Sequence, residues 1–224
     1  MVWSFKFLTI LIFLGMCKNM NAQDWPNLKK YKEENSLLLN EKRDLEVVFM
    51  GNSITEGWPK AFFGNTSYVN RGISGQTTPQ MLLRFRQDVI NLDPKVVVIL
   101  AGTNDIAGNT GPMSLEQIKE NIQSMVELAQ ANGIIPIVCS VLPAYDYPWR
   151  PGLRPNVQIP KLNAMLKEMA QKKKVHYLDY FSKMADERMG LPAELAKDGV
   201  HPTTEGYGIM QTLVEKAVQE VLKK

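Results

Sequence analysis

Apolar residues along this chain fall into two kinds of run. Short, β-branched runs read as strands: Leu45 to Gly51, Tyr68 to Asn70, Val96 to Ala101, Ile134 to Val141 and Val175 to Leu178. Between them, apolar positions recur at the helical period over Pro79 to Asn91, Ser114 to Ala131, Asn156 to Gln171 and Thr204 to Leu222. The punctuation agrees, because Ser114 with Gln117 has the form of a capping box and Asn132-Gly133 supplies a left-handed stop. Asp24 to Asn40 reads as an additional N-terminal helix packed outside the sheet. Strands alternating with longer helices predict an α/β domain with a parallel sheet.

The opening of the chain breaks this pattern. Phe7 to Cys17 is almost unbroken apolar sequence behind Lys6, and polar Lys18 to Asn21 follow. That is the layout of a signal peptide over residues 1–22 with cleavage after Ala22, and it is too short for a stable membrane span. Such a leader implies a secreted or periplasmic protein. Leu14-Gly15-Met16-Cys17 loosely matches a lipoprotein box, which keeps lipidation of Cys17 as a minor alternative.

Composition narrows the function further. The chain has 224 residues, 45% of them apolar, enough for one domain with a substantial core. Its formal charge of +3 falls to +1 once Lys6 and Lys18 leave with the leader, and the remaining charges are scattered, so no nucleic-acid partner is expected. Beyond residue 22 only Cys139 remains, inside the apolar run Ile134 to Leu142, where a small core residue is expected. The two histidines, His176 and His201, are too few for a multi-histidine zinc site. His176 lies within a strand and reads as a packed or edge residue.

Four polar segments fall at the ends of predicted elements, where open α/β sheets bind their ligands. The first strand breaks at Gly51-Asn52-Ser53, and the second at Asn70-Arg71-Gly72-Ile73-Ser74-Gly75. The third ends in Gly102-Thr103-Asn104-Asp105, and Asp198-Gly199-Val200-His201-Pro202 lies near the C-terminus. Singly, each has a structural explanation: Ser53 and Asn104 as cap or turn residues, the glycines as turns, Asp198 and His201 as loop residues. Neither the nucleophile elbow of α/β-hydrolases nor a Walker phosphate loop fits, since Thr55 stands where the elbow's second Gly belongs and no Gly-Lys pair follows Gly51.

Taken in order, the four segments resemble the blocks of the SGNH (GDSL-type) hydrolases, and the resemblance covers nearly the whole of residues 23–224. It implies a three-layer α/β/α sandwich with a flavodoxin-like, five-stranded parallel sheet. It also implies a catalytic triad of Ser53, His201 and Asp198, an oxyanion hole from Ser53, Gly75 and the Asn104 side chain, and no cofactor or metal. One departure stands out: the family's usual Gly-Asp-Ser is here Gly51-Asn52-Ser53, so any electrostatic role of that acid is lost.

The implied activity is hydrolysis of a small-molecule or carbohydrate ester, with short acyl groups, acetyl first, as the expected leaving acids. A lysophospholipase or thioesterase is the alternative within the class, and a non-catalytic glycan-binding module the alternative outside it. The irregular segment Pro143 to Pro155 carries Tyr147, Trp149 and Arg150, flat faces and donors suited to a sugar ring, although large aromatics are highly buried on average. Trp58 and Arg71, beside the first two blocks, are further candidate substrate contacts.

Overall fold

The computed structural model describes residues 23–64 and 67–223. Its centre is a sheet of five parallel strands, β1 (Val47–Gly51), β2 (Tyr68–Gly72), β3 (Val96–Leu100), β4 (Ile135–Cys139) and β5 (His176–Leu178), in the order β2-β1-β3-β4-β5. This is the flavodoxin-like order, with the reversal of direction falling beside β1. Every residue of β1 and of β3 is buried, as the continuous apolar runs require when helices cover both faces.

The pleat divides those strands between two cores. Val48, Met50, Val97 and Ile99 pack with Phe85, Ile122 and Leu166 on one face. Val47, Phe49, Val96 and Val98 pack with Trp58, Met210 and Val214 on the other. Eight α-helices are described: α1 (Lys32–Asn40), α2 (Ser53–Glu56), α3 (Thr78–Asp88), α4 (Thr103–Ile106), α5 (Leu115–Ala131), α6 (Pro155–Lys173), α7 (Phe181–Met184) and α8 (Thr204–Leu222). The result is the α/β/α sandwich expected from the sequence.

Local chemistry sets the helix ends. Ser114 Oγ accepts from Gln117 N at 3.2 Å while Gln117 Oε1 accepts from Ser114 N at 2.9 Å, closing the capping box of α5. Gly133, at φ +74°, turns the chain out of that helix and into β4. The N-terminal segment departs from expectation, because only its second half is helical. Asn27 sits at φ +56°, and both carboxylate oxygens of Asp24 are taken by the N–H groups of Leu28 and Lys29, which makes a turn there. Residues 25–28 instead run along α3, where Gln80 and Gln87 donate to the carbonyls of Trp25 and Leu28. The leader expected over residues 1–22, including Cys17, lies outside the described residues. Among the described residues no helix is long and apolar enough to cross a membrane.

Candidate active site

The site begins where β1 ends. Asn52 leaves the strand at φ −106° and ψ −147°, and its Oδ1 accepts from Ile54 N at 3.0 Å, capping the four-residue helix α2. A neutral amide oxygen therefore does the capping that a carboxylate could do, and Asn52 is buried, where an amide costs less to desolvate than a charge. Ser53 is the first helical residue. The helix lies close against two strand ends, which explains two glycines. A Cβ on Gly51 would meet Thr55 Oγ1 at 2.0 Å, and one on Gly72 would meet the Glu56 nitrogen at 2.1 Å. From α8, the Tyr207 hydroxyl donates to Ile54 O at 2.8 Å and holds α2 from the other side.

Ser53 Oγ lies 2.9 Å from His201 Nε2, and His201 Nδ1 lies 2.7 Å from Asp198 Oδ2. The other oxygen of Asp198 accepts from the N–H groups of His201 and Val200 at 2.8 and 3.0 Å. Gly199, at φ +77°, curls the chain so that acid and imidazole three residues apart can meet. With the Nδ1 proton directed at the carboxylate, Nε2 is left as acceptor towards the serine hydroxyl. Partial burial pushes the Asp198 carboxyl upwards, but bonds from the His201 ring and from the His201 and Val200 N–H groups outweigh it and hold the group below the usual carboxylate range.

The turn after β2 and helix α4 carry the other two candidates, Gly75 and Asn104. Gly75 sits at φ +76° with open space around the position of a Cβ, so conformation and not crowding requires glycine there. Asn104 is buried, and its Nδ2 donates to Gln76 O at 3.0 Å, using one of its two N–H groups. Asn109 Nδ2 donates to Gly75 O at 3.1 Å, a second tie between the two segments. Asp105 Oδ1 accepts from Thr78 N at 2.8 Å and Thr78 Oγ1 at 2.6 Å, but Oδ2 is buried without a hydrogen-bond partner among the described residues. Burial raises this carboxyl to about 6 despite the two bonds from Thr78.

The five candidate substrate contacts separate sharply. Trp58 is buried, stacked on Phe62 at 4.9 Å in an aromatic cluster beneath α2. Arg71 is fully buried, its guanidinium 4.6 Å from the centre of the Tyr31 ring and donating to Glu34, Asn35 and the carbonyl of Asn70. Tyr147 is fully buried with its hydroxyl 2.9 Å from Thr103 Oγ1. These three have no surface left for a ligand, and the expectation for them is corrected. Arg150 is a latch, with Nη1 donating to the carbonyls of Ala107 and Gly108 at 2.6 and 2.7 Å. Trp149 differs: it is 44% exposed, stacks on Tyr147 at 5.1 Å, and has its ring centre 6.2 Å from that of His201.

His176 lies on the edge strand β5, with β3 and β4 between it and β1, the strand that leads into Ser53, so the second histidine is set apart from the Ser53–His201 pair. Cys139 is buried at the end of β4, and burial pushes its thiol up, as befits a core residue. No group of three or more His, Cys, Asp or Glu residues placed to hold a metal ion occurs among the described residues. Sequence reading passed over Gln76 and Tyr207. Gln76 sits in a polar turn with no motif to mark it, and Tyr207 lies in the apolar stripe of α8, so its phenol carries no signal of a polar task.

Residues 49–209 match the model of the GDSL-like Lipase/Acylhydrolase family. A solved structure of a GDSL-like lipase from Bacteroides thetaiotaomicron VPI-5482 is 46% identical, with 88% of this chain and 100% of that one covered and a TM-score of 0.83. A Bacteroides fragilis NCTC 9343 structure is also 46% identical, covering 89% of this chain and 99% of that one at a TM-score of 0.85. The lipoprotein YqeF of Bacillus subtilis (strain 168) is 39% identical over 121 residues, which are 45% of this chain. The match spans 50% of the length of that relative.

Proposed function

We infer that this chain, which belongs to the GDSL-like lipase/acylhydrolase family, is a serine esterase that cleaves short acyl esters, acetyl foremost, from carbohydrates. The observation that carries this reading is the continuous hydrogen-bonded line from Ser53 Oγ through His201 to Asp198, with contacts of 2.9 and 2.7 Å. His201 takes the hydroxyl proton as Ser53 Oγ attacks the ester carbonyl, and the ionised Asp198 holds the imidazolium that forms. The N–H groups of Ser53 and Gly75 and the Asn104 amide receive the charge on the tetrahedral oxygen. His201 then gives its proton to the departing alcohol, and water repeats the sequence on the acyl-serine.

The carbohydrate assignment rests on Trp149, whose half-exposed ring lies 6.2 Å from that of His201, the residue that gives its proton to the departing alcohol. A flat indole already stacked on Tyr147 loses little entropy on receiving a sugar face. The leader-like residues 1–22 support export. The name of the relative YqeF, a lipoprotein, favours a second reading in which Cys17 carries a lipid. Labelling with an aryl phosphonate tests the chemistry: the adduct belongs on Ser53 and is absent in Ser53→Ala. A label on Ser74 or Ser140 overturns the assignment. A screen of acetyl against octanoyl esters tests the acyl group, and preference for octanoyl moves the reading to the lysophospholipase or thioesterase alternative.

A further inference from the structure

Behind the three proposed oxyanion donors lies one fully buried guanidinium. Arg84, on α3, uses all three of its nitrogens: Nε donates to Gln76 Oε1 at 2.6 Å, Nη1 to Asp88 Oδ2 at 3.0 Å, and Nη2 to Gly51 O at 3.0 Å. Gly51 ends β1, two residues before Ser53, and its carbonyl also accepts from Ile73 N at 3.1 Å. Gln76 directly follows Gly75, and its main-chain oxygen is the acceptor of the Asn104 amide at 3.0 Å. The amide nitrogen of the Gln76 side chain donates to Pro26 O at 2.7 Å, which fixes the side chain from its other end. Asp88 is held in turn by Asn35 Nδ2 at 2.8 Å.

A buried ion pair is an expensive way to hold a helix on a sheet, since two charges lose their hydration and apolar residues of the same size do as well or better. What an apolar residue cannot do is fix two backbone segments at a set distance by directed bonds. Here the two segments are the end of β1, which carries the Ser53 N–H, and the Gly75 turn, to which Asn104 is also tied. We propose that Arg84, acting through Gln76, is a positioning residue for the oxyanion hole. It sets the spacing of the Ser53 and Gly75 N–H groups and the Asn104 amide before substrate arrives. The proposal rests on the serine-esterase reading above.

The test uses a small aryl acetate, which does not engage Trp149, and three variants: Gln76→Leu, Arg84→Lys and the charge-neutral pair Arg84→Met with Asp88→Asn. Each should lower kcat roughly ten- to a hundred-fold with KM changed less than about three-fold, because misplaced donors weaken the transition state and not the ground state. Arg84→Lys, which keeps the charge and part of the bonding, should lose least. In an Asn104→Ala background the loss from Gln76→Leu should shrink several-fold, since both act on the same oxyanion. Where an Arg84 variant fails to fold, Gln76→Leu, which leaves the ion pair in place, decides. Native kcat in a folded Gln76→Leu protein, or a loss that multiplies in full with that of Asn104→Ala, overturns the proposal. Ser53→Ala, run alongside, tests the serine-esterase reading itself, so the two failures are told apart.

Discussion

The two sides of this site are built in opposite ways. On the acid–base side, the side chains of His201 and Asp198 are 43% and 44% exposed, and they hold each other through bonds that span three residues of sequence. On the proposed oxyanion side, Asn104, Gln76 and Arg84 are all nearly or completely buried, and their bonds join the end of β1, the turn after β2 and the helices α3 and α4. In the proposed mechanism the difference follows from what each side does. A base must reach solvent and exchange protons, so a local turn suffices, whereas donors that stabilise a transient charge act best when fixed beforehand in a water-poor setting.

The largest expected effect sets the two sides against each other through activity and stability together. Ser53→Ala and His201→Ala should each lower kcat by roughly 10⁴- to 10⁶-fold, since triad members act as a unit. Because the dyad is half exposed, His201→Ala should shift Tm by no more than a couple of degrees, in line with the ~0–1 kcal/mol worth of an exposed pair. His176→Ala, on the edge strand β5, should keep kcat within a few-fold. Stopped-flow kinetics with an aryl acetate and thermal melts read both quantities. Equal inactivation by His176→Ala would remove the distinction between the histidines.

Asn104→Ala comes next and should behave differently. A loss in kcat of roughly 10²- to 10³-fold with KM little changed is expected for one oxyanion donor. It should also lower Tm by several degrees, because it strands a buried acceptor at a cost of about 1–3 kcal/mol. A variant with native kcat and only the Tm loss would make Asn104 a packing residue and collapse the contrast between the two sides.

That contrast also explains what the sequence disclosed. Placement of the strands and of the long helices α3, α5, α6 and α8 was legible from periodicity, and α8 was legible to its last residue because its N-cap and stripe are local. The Asp198–His201 pair was legible for the same reason, being two residues of one turn. The buried network was not. Arg71 read as a candidate ligand contact because a cation near a polar block looks available, and nothing in the chain announced that Tyr31, Glu34 and Asn35 would enclose it. The break of the N-terminal helix at Asn27 was equally hidden, since it depends on the glutamines of α3 that take up residues 25–28.

A smaller effect is expected at Trp149, an exposed residue of a loop that Tyr147 and Arg150 latch to Thr103 and Ala107. Trp149→Ala should raise KM for an acetylated oligosaccharide about ten-fold, the effect of losing roughly 1.4 kcal/mol of stacking, and leave a small aryl acetate within two-fold. Equal losses on both substrates would return Trp149 to loop packing.

The smallest effect lies on the buried side and is read by pH. Asp105 has a carboxyl raised by burial from 3.8 to about 6, with Oδ2 lacking a partner among the described residues. An acid that binds its proton more tightly when folded contributes stability that is complete below about pH 4 and is lost as pH rises through about 6. The ceiling on that loss is about 3 kcal/mol, from roughly two pKa units at 1.36 kcal/mol each. Asp105→Asn keeps an oxygen to accept from Thr78 and removes the titration, but it leaves an N–H group where Oδ2 stood, at a cost of about 1–2 kcal/mol. The net change at any one pH is therefore small, and the slope is the sharper observable. Between pH 5 and 7.5 the wild type should lose a few degrees of Tm that the variant keeps, with the two curves closest or crossed at the acidic end. Curves that stay parallel across this range would mean that Asp105 does not titrate there. An Asp105 that is ionised throughout would have to find a partner for Oδ2, and the buried side of the site would then be less closed to water than the distances around Asn104 and Gln76 imply.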